Sequence, residues 1–294
     1  MRLSGYLCVA SMHQFMAHIS QLYIYPIKSL GGIALQQSQV TSRGLQYDRR
    51  WMLIDEHNNF LSQRKYPQMA LFQVSLQEQG LKVTHTPSQQ FTIVPYLPQT
   101  NINVEVDVWD SLCTGTYISE EADEWFSRLL NITCRLIYMT DDSLRPVDER
   151  YAGPDRITSF SDGYPMLLAG EASLYDLNNK LANPVTINHF RPNIVISSTD
   201  PYFEDRIHHF EAGGISFYGV KPCARCVMIG VDPVTAGTNP ETLKTLAGYR
   251  KANNKIYFGQ NLIHDGEGII KVGDELDIKK IGEALVMDTY TPPA

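Results

Sequence analysis

The sequence predicts an α+β fold that is mostly β: a β-rich N-terminal part followed by a β-barrel with a few helices. Three observations carry this. Short runs of β-branched and aromatic residues follow one another from Ile19 to Trp109, separated by polar or Gly/Pro punctuation. Beyond them, strands and helices do not alternate regularly, which argues against a parallel doubly wound sheet and for antiparallel pairing. The helical stretches are few and short, and two of them carry start signals of their own.

Taken in order, Gln21-Leu22-Tyr23-Ile24-Tyr25 reads as the first strand. Arg50 to Asp55 and Phe60 to Arg64 flank the polar Glu56-His57-Asn58-Asn59 and predict a hairpin. Ala70 to Leu76, Leu81 to His85, Phe91 to Val94 and Val104 to Trp109 continue the series, with Gly80, Pro95 and Pro98 as breaks. The first helix is expected over Glu120 to Asn131. Ser119 can cap it, Glu120, Glu121 and Asp123 put negative charge at its positive end, and Trp125, Leu129 and Leu130 give it an apolar side. The polar stretch from Thr140 to Asp162 reads as an interdomain link or a long functional loop. The division placed there gives domains over 17–140 and 141–285, between an extension over 1–16 and a tail over 286–294. Farther on, Glu171 to Leu181 is helical in pattern, and Asn193 to Ser198, Ile215 to Val220 and Val227 to Val231 read as strands. Asn239-Pro240-Glu241 then opens a short helix that closes near Gly248.

Composition narrows the function classes. A chain of 294 residues, 43% of them hydrophobic, can bury one large core or two modest ones. With 25 Lys and Arg against 32 Asp and Glu, a net charge of -7 and no long basic run, general affinity for nucleic acid is not expected. No run approaches the roughly 18 apolar residues of a membrane span, so no membrane partner is expected either. Five scattered cysteines do not make a disulfide framework and fit a reducing, cytoplasmic setting. Met1 to Ala10 has the outline of a weak signal peptide, but Ser4, Gly5 and Ser11 break its apolar run; the plainer reading starts the domain near Met16.

Chemistry is best sought at Lys221-Pro222-Cys223-Ala224-Arg225-Cys226. A lone C-x-x-C can be half a zinc site, a dithiol redox pair, two cysteines of which one has a task, or a thiol pair without function. Zinc needs further ligands at suitable spacing, which the other cysteines do not offer. A thioredoxin-like pair sits where a strand gives way to a helix, whereas Val227 to Val231 reads as a strand. Lys221 and Arg225 favour a thiolate, a soft ligand for a metal centre. Trp51, Trp109 and Trp125 are expected in the core, Glu204-Asp205 in a solvated loop, and Asp232-Pro233 in a turn. The eight histidines show no i, i+4 pairing, so no histidine metal site is expected.

Five ordered motifs carry a resemblance. They are Tyr25-Pro26-Ile27-Lys28-Ser29, Asp48-Arg49-Arg50-Trp51, Phe190-Arg191-Pro192-Asn193-Ile194-Val195-Ile196, Pro222-Cys223-Ala224-Arg225-Cys226 and Phe258-Gly259-Gln260-Asn261. From about Ile19 to about Ile281 the chain resembles the MOSC-domain family, and within it the YcbX-like and mitochondrial amidoxime reducing component branch. The resemblance implies a β-rich N-terminal MOSC domain joined to a MOSC β-barrel, a molybdopterin cofactor between them, and reduction of hydroxylamines, amidoximes and N-hydroxylated bases. It makes Cys226 the molybdenum ligand and catalytic residue, and assigns Lys28, Ser29, Arg49, Arg191 and Asn193 to the cofactor's phosphate and pterin. Arg225, between the two cysteines, is expected to join them. Charge-assisted donors suit a phosphate and an amide suits a ring edge.

No set of closely spaced cysteines for an iron-sulfur cluster and no G-x-G-x-x-G fingerprint occurs, and pyridoxal phosphate is not expected. A separate flavin or iron-sulfur donor protein is therefore the expected partner beside a small N-hydroxylated substrate. The residues shaping the pocket entrance are expected in Thr140 to Asp162 and Asn253 to Lys255. The rival class is a carrier of cofactor or sulfur that uses Cys226.

Overall fold

A computed structural model describes residues 17–109, 111–198 and 200–283, so the expected extension over 1–16 and tail over 286–294 lie outside the described residues. In chain order the first elements are β1 (His18–Ile24), β2 (Ile33–Leu35), β3 (Gln37–Thr41), β4 (Gly44–Leu45), β5 (Trp51–Asp55), β6 (Phe72–Gln77), β7 (Gly80–His85), β8 (Gln90–Pro95), β9 (Asn103–Val108) and β10 (Ser111–Tyr117). There follow α1 (Glu120–Leu130), β11 (Cys134–Tyr138), α2 (Glu149–Ala152), β12 (Met166–Gly170), α3 (Glu171–Asn178), β13 (Ile194–Ser197) and β14 (Ile207–Ala212). The last are β15 (Ile215–Arg225), α4 (Glu241–Ala247), β16 (Lys251–Ala252), β17 (Lys255–Asp265), β18 (Gly268–Lys271) and β19 (Asp277–Ile281).

The largest sheet has the order β19-β14-β15-β17-β12-β13-β1-β2, with β16 added alongside β17. Among its described ladders only β12–β13 is parallel. Just before β19 the chain returns to the start of β1: Ile19 N donates to Asp274 O at 2.9 Å, Gly273 N to Ile19 O at 2.8 Å and Leu276 N to Ala17 O at 2.8 Å. These bonds roll the sheet back on itself as a barrel. Its core holds Leu22, Ile24, Leu168, Ile194, Ile196, Phe210, Phe217 and Leu262. The first strand of the chain is thus a stave of a barrel built mostly from the last third.

The second core lies among β5-β11-β10-β9, β6-β7-β8 and α1, and holds Trp51, Leu53, Phe72, Leu81, Val83, Phe126 and Leu136. The α1 start signals act as expected. Ser119 Oγ accepts from Ala122 N at 3.2 Å, and Asn131 in a left-handed conformation closes the other end. Fully burying Phe126 contributes about 1.5–3 kcal/mol to that core.

Several expectations need correction. Phe60 to Arg64 is not a strand: Ile54 bridges Phe60, but Ser62 then starts a turn, with its hydroxyl accepting from Arg64 N and its carbonyl from Lys65 and Tyr66 N. Val227–Gly230 is a 3-10 turn, not a strand, with Val227 exposed and Ile229 buried. Glu204 and Asp205 are not solvated; both are buried in a 3-10 turn beneath β12, where Asp205 pairs with Arg250. Asp232 does form the expected turn, its Oδ1 accepting from Val234 N and Thr235 N.

Candidate functional site

A narrow cleft opens between the barrel and the second core. The segments that reach it leave β1, follow β4, precede β12 and β13, and end β15. Lys28, Ser29, Arg49, Arg191, Asn193 and Arg225 all line it, together with Cys223, Ser161 and Asp162. Residues far apart in the sequence therefore converge on one place.

Hydrogen bonds fix most of these side chains from behind. Arg49 Nη1 binds Asp48 Oδ2 at 2.7 Å and Asn193 Oδ1 at 3.0 Å, while its Nη2 donates to Arg191 O at 3.1 Å. Asn193 is spent on the scaffold: Oδ1 also accepts from Leu167 N at 3.2 Å, and Nδ2 donates to Tyr23 O at 3.1 Å. The guanidinium groups of Arg49 and Arg191 lie over the Tyr25 ring, 4.4 and 4.2 Å from its centroid. Arg225 donates to Phe258 O and Phe190 O, both at 2.9 Å, and leaves its buried Nη2 without a partner.

Lys28, Arg49, Arg64, Arg191 and Arg225 face the cleft against one lining carboxylate, Asp162. In a chain with a net charge of -7 this is a local inversion, and it favours an anion. Burial pushes the Lys28 ammonium below its ordinary range; burial, and then the Arg49 charge, push Arg191 down to about 10. Lys28 Nζ meets Asp162 Oδ1 at 2.6 Å and Phe160 O at 2.8 Å.

The backbone is strained at the same place. Ser29, Arg49 and Arg191 have φ values of 68°, 49° and 53°, in the left-handed region that L-residues other than Asn and Asp rarely adopt. Each such residue costs about 1–3 kcal/mol and persists only where its surroundings over-determine it. Nothing in the sequence marked this strain, because it depends on contacts between distant segments.

Of the C-x-x-C pair, Cys223 lies near the end of β15 and lines the cleft; burial pushes its thiol up, and Arg225 opposes that only in part. Cys226 is half-buried at the head of the 3-10 turn and is not among the lining residues. The Lys221 ammonium, expected beside the thiols, lies instead 4.1 Å from the Tyr151 ring centroid. Among the described residues no group of three or more His, Cys, Asp or Glu is arranged to hold a metal, so a zinc site built on this pair lacks its further ligands there.

Three further residues belong to the site. Trp109, expected in the core, is 41% exposed and lines the cleft. The signal was present: Val104, Val106 and Val108 hold one face of β9, so Trp109 falls out of phase, on the face of Glu105 and Asp107. Arg145, inside the predicted loop, donates to the carbonyls of Ser159, Ser161 and Val108 and so ties the Asp162 segment to the base of Trp109. Ser161 lines the cleft with its hydroxyl donated to Tyr164 O at 2.8 Å. The Thr140 to Asp162 stretch therefore shapes the cleft, whereas Asn253 to Lys255 does not line it.

A barrel beside a cation-lined cleft, edged by a thiol-bearing loop, defines a class of protein with one site whose charge suits an anion. The comparisons name its kind: the chain belongs to the MOSC-domain family. The model for the MOSC N-terminal beta barrel domain matches residues 16–133 and that for the MOSC domain residues 155–277. Mitochondrial amidoxime-reducing component 1 of Mus musculus is 32% identical over 275 residues, spanning 87% of this chain and 80% of that one. Its counterpart in Homo sapiens is 30% identical over 274 residues, spanning 87% and 81%. Molybdenum cofactor sulfurase of Solanum lycopersicum is 30% identical over 287 residues, spanning 88% of this chain but 35% of that longer one.

Proposed function

We propose that this chain is a molybdenum-cofactor-dependent reductase of N-hydroxylated compounds, supplied with electrons by a separate protein. The observation that carries the proposal is the convergence of Lys28, Ser29, Arg49, Arg191, Asn193 and Arg225 on one cleft beside the C-x-x-C loop. The names of relatives about 30% identical, amidoxime-reducing components, supply the substrate class. The residues fit the cofactor: cations exceed the lone carboxylate, Arg225 has an unpartnered buried nitrogen, and Ser29, Arg49 and Arg191 adopt left-handed backbones at the cleft.

Lys28, Arg49, Arg191 and Arg225 would hold the cofactor's phosphate and pterin by charge-assisted bonds, each of about 1.5–3 kcal/mol. Ser29 presents its hydroxyl, and Asn193 keeps Arg49 aimed. When bound, the cofactor supplies the two-electron chemistry by which the hydroxyl oxygen leaves nitrogen as water. The protein supplies a thiolate ligand, which the motif position assigns to Cys226. The position of Cys223 in the cleft favours a second reading, in which Cys223 is that ligand. The electrons would come from a flavin or iron-sulfur protein, because the sequence contains no nicotinamide fingerprint. The cytoplasmic setting stays part of the proposal on the free thiols of Cys113, Cys134, Cys223 and Cys226, although the named relatives are mitochondrial.

Paired serine substitutions in protein made in a cofactor-competent host provide the test. A hydroxyl is a harder and less acidic ligand than a thiol, so Cys226→Ser should retain about tenfold less molybdenum and activity while Cys223→Ser keeps much of both. The opposite pattern would transfer the role to Cys223. Loaded wild-type protein that fails to reduce a hydroxylamine with reduced viologen would discard the reductase reading and leave a carrier of cofactor or sulfur.

A further inference from the structure

The residue at the cleft whose presence is hardest to explain by folding is Trp109. It occupies the turn between the paired residues Val108 and Ser111, where a left-handed residue would ordinarily be Asn, Asp or Gly, and its φ is 60°. Burial does not compensate for that strain, since Trp109 is 41% exposed while Trp51 is 0% and Trp125 is 8% exposed. Three contacts nonetheless hold the indole in one orientation. Its Nε1 donates to Asp162 Oδ1 at 3.2 Å, the Arg64 guanidinium lies 4.2 Å from its ring centroid, and Phe60 meets it edge-on at 5.2 Å. The same Asp162 oxygen also accepts from Lys28, so the indole is tied to a residue of the proposed anchor set. A large aromatic surface, strained, clamped and left partly open at a ligand cleft, is arranged to face a ligand.

We infer that Trp109 is a specificity-determining residue: its indole is the stacking wall on which a planar, conjugated N-hydroxylated substrate, such as an aryl amidoxime, lies. Phe60, set edge-on to the indole, bounds the wall on one side, and Asp162, with Oδ1 engaged by Trp109 and Lys28, keeps Oδ2 to accept from the substrate's amino group. A small aliphatic or inorganic hydroxylamine has no π face and gains little from this wall, so the cleft discriminates by shape. The inference rests on the reductase reading above and deepens it.

The test compares molybdenum-loaded wild type with Trp109→Leu and Trp109→Phe, after molybdenum content and thermal unfolding confirm that each variant is loaded and folded. With reduced viologen as donor, the ratio of kcat/KM for benzamidoxime to that for hydroxylamine should fall about tenfold in Trp109→Leu, mainly through KM, and much less in Trp109→Phe, which keeps a face. An unchanged ratio overturns the inference. So does an equal fall in both variants, since that assigns the effect to the lost N–H bond with Asp162. Binding is read independently by titrating the protein with benzamidoxime in the absence of any donor. Tryptophan emission should quench saturably in wild type and not in Trp109→Leu, because Trp51 and Trp125 are buried. Quenching that persists in Trp109→Leu overturns the wall even if turnover is seen. If wild type reduces neither compound, the reductase reading fails, while the quenching still decides whether Trp109 faces an aryl ligand.

Discussion

Glu204 shows how far a single residue's environment can lie from what its neighbours in sequence suggest. It is fully buried, its Oε2 accepts from Ser173 Oγ at 2.8 Å, and its Oε1 has no partner. Burial, and then the adjacent Asp205 carboxylate, raise its pKa, while Arg250 is engaged by Asp205. The folded state therefore holds a proton that the unfolded state releases as pH rises above the ordinary Glu range, and stability falls across that window. Glu204→Gln removes the titration, so its melting temperature should exceed the wild type's by more at pH 8 than at pH 5; an equal difference at both would acquit this carboxyl. Charged neighbours in a Tyr-Phe-Glu-Asp-Arg run suggest solvent, and the partner that makes the burial of Asp205 tolerable, Arg250, lies 45 residues further on. Lys28, Arg49 and Arg191 were legible as candidates through their motifs, and the fold brings them to one cleft. Their left-handed backbones were not, since those follow from tertiary contacts, and Trp109 was misplaced although its phase along β9 pointed outward.

Elements were legible where a local signal sufficed. For α1 the cap, the acidic first turn and the apolar stripe agreed, and the helix runs over Glu120–Leu130. Removing the cap by Ser119→Ala leaves Ala122 N without its acceptor and should cost about 1 kcal/mol in denaturant unfolding with an unchanged slope; no measurable loss would show the cap to be redundant. Strands were missed where the pattern is ambiguous or interrupted. In β12, Met-Leu-Leu-Ala-Gly is buried throughout, and a short unbroken apolar run does not distinguish strand from helix. Along β17, Gly259 turns to a φ of 78° where its missing Cβ would stand 2.6 Å from Leu168 O, a close approach that no propensity encodes. Val227 to Val231 errs the other way: its composition favours a strand, but Gly230 packs against Asn239, whose N donates to Gly230 O at 2.8 Å, and the segment curls.

At the scale of the molecule, the feature hidden from the sequence is that β1, β2 and β3 belong with the far end of the chain. β1 pairs with β13, β2 extends that edge, and β3 pairs with β18. A fragment over 141–283 would lack these covers, leaving the buried Ile194, Val195 and Ile196 on an open edge. It should show no cooperative thermal transition alone and regain one when co-expressed with residues 17–140; cooperative unfolding of the fragment by itself would refute this. The same stitching governs the order of events during synthesis. The second core, centred on Trp51, Phe72 and Phe126, draws on residues 27–136 and can collapse while later parts are still being made. The Ser20 hydroxyl, by contrast, must wait for the Val195 carbonyl, 175 residues away, and the sheet stays unrolled until Asp274 returns to Ile19. Pairing over such a separation is slow. During that interval β1 can pair with β2 but its β13-facing edge stays open, and Lys28 and Arg49 do not meet Arg191 and Arg225 until the barrel forms. The cleft therefore has all its walls only after both ends of the described chain have been made and joined.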